Sequence, residues 1–141
     1  MISLAQAQAN VRGALRDAGI DSADMDARLL LEAATGLDRV ALMMTPEKLL
    51  TAEQAAQLRQ LTERRLLLEP MAYILGRREF RSLEFLTPPG VLIPRPDTET
   101  LVEWALERLA PSASAAVADL GTGSGAVALA IAARRPVSRI T

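Results

Sequence analysis

Asp119-Leu120-Gly121-Thr122-Gly123-Ser124-Gly125 sets one carboxylate, two hydroxyls and three alternate glycines within seven residues. Glycine serves where the backbone must turn through positive φ, or where a ligand must come close to the main chain. The apolar run 115–118 before the loop reads as a short buried strand, and residues 126–134 after it read as a helix. Strand, glycine turn and helix in that order aim the helix's free N–H groups and positive dipole end at the loop. A nucleotide or carboxylate held there would meet main-chain donors. The chemistry on offer is that of a cofactor cradle.

Asp119 narrows the choice of cofactor. Gly121-x-Gly123-x-x-Ala126 fits a dinucleotide fingerprint. A carboxylate two residues before the first glycine would, however, repel a pyrophosphate. It suits a cationic ligand better, such as the ammonium and sulfonium of S-adenosylmethionine, whose own carboxylate can take the helix N-terminus. Acidic-x-Gly-x-Gly-x-Gly resembles motif I of the class I methyltransferases. On these residues alone, a dinucleotide site and a glycine-rich turn that binds nothing remain the alternatives.

Composition excludes other chemistries. The 141 residues contain neither Cys nor His, which removes disulfides, thiolate metal sites, Cys nucleophiles and the commonest general base. No metal site is expected. Half the residues are apolar but only 3% are aromatic, so the core must be built of Leu, Ala, Val, Ile and Met. A net charge of -1 does not suggest a direct nucleic-acid partner. No apolar run reaches the ~20 residues of a membrane span, and the first residues lack a signal-peptide pattern. The expectation is a cytoplasmic protein, monomeric, with no membrane partner.

The elements that must position the loop follow from periodicity and caps. Ser3-x-x-Gln6 and Thr51-x-x-Gln54 are capping boxes, opening helices to about residues 18 and 68. Leu4, Ala7, Val11, Ala14 and Leu15 recur at helical spacing along the first. A second helix is capped by Asp21 or Ser22, with Asp24 and Asp26 in its first turn, Met25, Leu29, Leu30 and Ala33 as its apolar face, and Gly36 as its stop. Residues 37–44 read as a short helix. Leu58, Leu61, Arg65 and Leu68 line the fourth helix, and Pro70 opens a last short one that Gly76 ends.

The pattern then changes. Residues 77–86 read as a β-hairpin, 88–90 as a turn and 91–93 as an extended run. Pro94 and Pro96 hold the next stretch extended. Asp97 or Thr98 caps a helix through Leu101, Val102, Ala105, Leu106 and Leu109, with Trp104 as a core or half-buried residue. Residues 111–114 read as a surface loop. Arg64, Arg65, Arg77, Arg78 and Arg81 read as a solvated face paired with Glu63, Glu69, Glu79 and Glu84, a basic docking patch being the alternative.

Glu69-Pro-Met-Ala-Tyr-Ile-Leu-Gly76 with Arg78-Glu79-Phe80, then Val91-Leu-Ile-Pro-Arg-Pro-Asp-Thr-Glu99, then the glycine loop, occur in an order and spacing that resembles the HemK/PrmC family. These are the peptide chain release factor N5-glutamine methyltransferases. The resemblance covers essentially the whole chain. It implies an α/β protein: an N-terminal helical bundle that binds release factor (1–75), a β-hairpin linker (76–93) and the start of a Rossmann-like class I methyltransferase domain (94–141). It implies methyl transfer from S-adenosylmethionine to the glutamine amide of the Gly-Gly-Gln motif of class 1 release factors. The cofactor-binding residues carried over are Asp119, Gly121, Thr122, Gly123, Ser124 and Gly125, together with Pro94, Arg95, Pro96 and Thr98. The family's Asn-Pro-Pro-Tyr motif, which holds the glutamine amide, does not occur in these residues. The catalytic residues are therefore expected beyond Thr141, the chain is expected to be a truncated piece, and alone it is expected to be inactive. The rival functions are a non-catalytic protein-binding module and a methyltransferase for another protein or a nucleic acid.

Overall fold

The computed structural model describes residues 2–111 and 114–141. Of the loop expected at 111–114, Ser112 and Ala113 lie outside the described residues. The chain forms two compact units, Met1–Leu75 and Gly76–Thr141.

The first unit is five helices: α1 (Leu4–Asp17), α2 (Ala23–Thr35), α3 (Arg39–Met44), α4 (Ala52–Leu66) and α5 (Met71–Leu75). Ser3 Oγ accepts from the Gln6 N–H at 3.3 Å to start α1. At α4 both halves of the Thr51–Gln54 box are made. The helices close on Leu4, Val11 and Leu15 of α1, Ala27, Leu30 and Leu31 of α2, and Leu42, Leu50, Leu58 and Ile74.

The buried face of α2 is rotated from the one expected: Leu30 is buried and Leu29 half-buried as read, but the other two positions are not. Met25 is 59% exposed and Ala33 is exposed, whereas Ala23, Asp26, Ala27, Leu30, Leu31 and Ala34 are buried. The difference is caused by Asp26. Its Oδ2 accepts from Arg65 Nε of α4 at 2.8 Å and from the Ser22 hydroxyl at 2.8 Å. That pairing lets a carboxylate occupy a core position, and the helix turns accordingly. Ser22 stands at the N-cap position but makes no side-chain cap; its ψ of 16° is not the extended conformation of a capping residue, and its hydroxyl donates to Asp26.

Arg65 is therefore no member of a solvated face, its side chain being only 16% exposed. Arg64, beside it, holds Glu69 through two bonds, Nε to Oε2 at 2.8 Å and Nη2 to Oε1 at 2.5 Å. The same guanidinium donates to the carbonyls of Tyr73 and Ile74 at 3.3 and 3.5 Å. Arg65 Nη1 donates to the Glu69 carbonyl at 3.0 Å. Leu68 does not continue the apolar row of α4: its φ is +63° and it is 67% exposed. The left-handed step at Leu68 ends the helix and lets Glu69 fold back onto the two arginines.

The second unit opens with a hairpin of β1 (Arg77–Phe80) and β2 (Leu83–Leu86), antiparallel with Arg77 opposite Leu86 and Phe80 opposite Leu83. Its two-residue turn, Arg81-Ser82, has φ of +52° and +64°. Such a turn normally favours Asn and Gly. Here Arg81 is tied to Glu103 of α6 (Thr98–Arg108), Nη1 to Oε1 at 2.7 Å. Residues 91–93 pair with no strand among the described residues; the Val91 N–H instead closes a turn on the Pro88 carbonyl at 3.2 Å.

After α6 come β3 (Ala116–Val117), α7 (Ala126–Arg134) and β4 (Arg139–Ile140), with β4 parallel to β3. Phe80 and Phe85 meet edge to face at 6.3 Å over Val102, Ala126, Ala130 and Ile131. Ala116 is exposed and Val117 only half-buried, so β3 is less buried than its sequence suggests: just one strand pairs with it among the described residues. Arg135 joins the C-terminal ends of α6 and α7, donating to the Leu106 and Leu109 carbonyls at 2.7 and 2.6 Å. Trp104 is 60% exposed rather than core, with the Arg108 guanidinium 5.2 Å from its ring centroid.

Two outcomes follow for the helical unit. Asp26→Ala would leave Arg65 charged and mostly buried without its partner, a change that costs about 3 kcal/mol; urea unfolding followed by helical circular dichroism should show a loss of that size. The second concerns pH. The Arg64 hydrogen bonds hold the Glu69 carboxyl below its ordinary 4.5. A carboxylate lowered on folding contributes stability above its unfolded value and loses that contribution as pH falls through the folded value. Glu69→Gln should therefore flatten the dependence of stability on pH below about 4.5, and leave the dependence above pH 6 unchanged.

Candidate functional site

In the second unit the glycine loop is built by backbone conformation. Gly121, Gly123 and Gly125 have φ of +78°, +55° and +75°. A Cβ at Gly121 would meet nothing within 4 Å, and one at Gly123 only the Gly121 carbonyl at 3.8 Å. Conformation rather than crowding therefore demands these glycines. The loop closes on itself through the Gly125 N–H, which donates to the Thr122 carbonyl at 2.8 Å.

Asp119 anchors the loop at its strand end. Its N–H donates to the Thr141 carbonyl at 2.7 Å, extending the β3–β4 ladder. Its side chain crosses the loop, and Oδ2 accepts from the Ala128 N–H of α7 at 3.2 Å. The sequence points this carboxylate toward a cationic ligand; in the structure one of its oxygens also has a helix amide as partner. A helix start leaves four N–H groups without intrahelical acceptors. Gly125 and Ala128 have found theirs. Among the described residues, the amides of Ala126 and Val127 remain to face a ligand.

A cleft of about 160 Å³ lies over this loop. The stretch at 92–98 forms its other wall. Pro94, Arg95 and Thr98 line it from that side, and Asp119, Gly121, Thr122, Gly123 and Ser124 from the loop. Pro96 and Gly125, both expected at the site, do not line it. Pro96 lies beyond the bend, where its carbonyl accepts from the Glu99 N–H at 2.9 Å as α6 begins, and Gly125 forms the N-cap of α7. Leu92, Ile93 and Val127, not named as site residues from the sequence, also line the cleft, as does Ala126, the last position of the dinucleotide-type fingerprint. The position of Ala126 and Val127, directly after the last glycine, was the available signal for two of them. Asp97 sits at the N-cap of α6 but in helical conformation and without a side-chain cap.

Charge in the cleft is mixed. Arg95 is exposed and, among the described residues, has no carboxylate within 4 Å. Asp119 supplies the negative charge. Enclosed ligand sites usually measure ~300–1,000 Å³, so this cleft is smaller than a site that would enclose a whole nucleoside-sized ligand. No group of three or more acidic side chains is placed to hold a metal among the described residues. No helix among them is long and apolar enough to cross a membrane.

Comparison with known proteins gives the family. The model of the PrmC N-terminal domain matches residues 6–76, half of the chain. The chain belongs to the HemK/PrmC family. Among curated relatives, the release factor glutamine methyltransferase of Geobacter sulfurreducens is 48% identical over 129 residues, which is 92% of this chain and 45% of that protein. That of Coxiella burnetii is 47% identical over 136 residues, 96% of this chain and 49% of the relative. That of Salmonella typhimurium is 50% identical over 127 residues, 90% and 45%. The chain thus spans about half the length of the curated relatives it matches. The matched part of each HemK/PrmC relative takes in both the helical unit and most of the second unit.

Proposed function

We propose that the second unit binds S-adenosylmethionine at the glycine loop, and that the whole protein methylates the glutamine amide of the Gly-Gly-Gln motif in class 1 release factors. The observation that carries this reading is the convergence of two separate stretches, 92–98 and 119–127, on one cleft. The residues fit the cofactor. Left-handed glycines keep side chains away from the approach to the loop, and the Ala126 and Val127 amides suit a carboxylate or ribose oxygen. Arg95 suits the cofactor's carboxylate. Thr98 and Thr122 offer hydroxyls that both donate and accept.

When bound, S-adenosylmethionine supplies an electrophilic methyl group on a sulfonium. The chain's own contribution is to bind and orient. Leu92, Ile93 and Val127 give one side of the cleft an apolar lining, and the glycine turn sets the direction from which the cofactor is approached. An amide nitrogen is a weak nucleophile, because its lone pair is delocalised into the carbonyl. Transfer to it depends on alignment and on hydrogen bonds that raise its electron density, which is catalysis by positioning and electrostatics. The helical unit is proposed as the part that helps hold the release factor.

Gly123→Val tests the site. A β-branched residue at φ +55° is strained, and the loop must change course to accept it. Calorimetry on the folded variant should show S-adenosylmethionine affinity reduced at least about tenfold, the scale of ~1–2 kcal/mol of backbone strain. Unchanged affinity would put the cofactor elsewhere. Labelled methyl transfer to a release factor, beside one with its Gly-Gly-Gln glutamine replaced by alanine, tests the substrate: label on both would contradict it.

A further inference from the structure

Gly125 is the N-cap residue of α7, and it adopts φ +75°. An N-cap normally contributes a side-chain oxygen to the N–H two or three positions into the helix. Glycine has none to give. The loop therefore needs a residue at this position that leaves the helix uncapped. The Asp119 carboxylate, from the end of β3, accepts at 3.2 Å from the N–H of Ala128, the third residue of α7. That is the amide a capping side chain would take. Asp119 is itself held in place by the bond from its N–H to the Thr141 carbonyl. The negative charge also lies at the positive end of the helix dipole, where it is favoured without any ligand.

We propose that Asp119 is a positioning residue. It caps α7 from the strand end across the glycine loop, sets the curvature of that loop, and does not pair with the positive charges of the cofactor. This rests on the cofactor reading above and refines it: the cofactor's ammonium and sulfonium are held by other groups.

The test compares Asp119→Asn with Asp119→Ala in the purified protein, by titration with S-adenosylmethionine and with S-adenosylhomocysteine, the product whose sulfur is neutral. Exchange of the Ala128 amide is followed by NMR. Asparagine keeps the accepting oxygen and loses the charge. With Asp119 as a cap, Asp119→Asn should bind both ligands within about threefold of the unsubstituted protein, the small loss reflecting the dipole, and keep Ala128 protected. Asp119→Ala should weaken both in parallel, about fivefold or more, the scale of a lost cap, with Ala128 exchanging faster. Asp119→Leu, similar in size to aspartate but with no accepting oxygen, takes the place of the alanine variant with the same expected losses if that variant does not fold. Two results would overturn the proposal: a loss of about tenfold in Asp119→Asn specific to S-adenosylmethionine, or an equal loss for both ligands while Ala128 stays protected. Failure of the unsubstituted protein to bind either ligand would overturn the cofactor reading instead. Ala128 exchange would then decide the capping role alone, unchanged protection in Asp119→Ala refuting it.

Discussion

Left-handed backbone at Gly121, Gly123 and Gly125 is the constraint on which the second unit turns. It allows the chain to leave β3, reverse within a few residues and enter α7 with the main chain open to the cleft at the glycines. It also deprives α7 of an ordinary cap, and the Asp119 carboxylate makes good that loss from the strand. At the far end, Arg135 binds two carbonyls at the C-terminus of α6, so the helices that begin beside the cleft are joined where they finish. The wall formed by residues 92–98 is held in turn by the start of α6.

The helical unit depends on a different device. Two consecutive arginines at the end of α4 divide their work: Arg65 reaches inward to the buried Asp26, and Arg64 reaches along the chain to Glu69 and the carbonyls of α5. Replacing a buried ion pair by apolar residues can leave stability intact, but removing one partner is costly. The pair therefore fixes the rotation of α2 against α4 more than it adds net stability. Arg64 and Glu69 shape the turn from α4 into α5 in the same way, with Leu68 in left-handed conformation between them.

The helices were legible because their signals are local. Ser3, Thr51, Gly36 and Gly76 announce their ends, and α7 follows directly from its glycines. The orientation of α2 was not legible, because an aspartate counts as a solvent residue until its arginine, 39 positions away, is known. Trp104 was misjudged for the opposite reason: a large ring implies burial, yet here it is covered on one face by Arg108 and otherwise left to solvent. The hairpin turn Arg81-Ser82 lacks the expected Asn or Gly, since an ion pair to Glu103 supports what composition alone would disfavour. At the cleft, spacing singled out two stretches but could not show that they face one another. Of the residues it named, Pro96 and Gly125 do not line the cleft, while the free amides it expected at the helix start fall to Ala126 and Val127, which do. The role of Asp119 was the hardest to read, because a carboxylate before a glycine loop fits a cationic ligand and a helix cap equally well by type.

The most direct test of the account is where the cofactor binds. Titration of the isotope-labelled protein with S-adenosylmethionine, followed by amide NMR, should shift the signals of Arg95, Thr98, Gly121, Thr122, Gly123, Ala126 and Val127 and leave those of α1, α2 and α4 in place. Shifts confined to the helical unit, or absent from residues 119–127 while binding saturates, would contradict it.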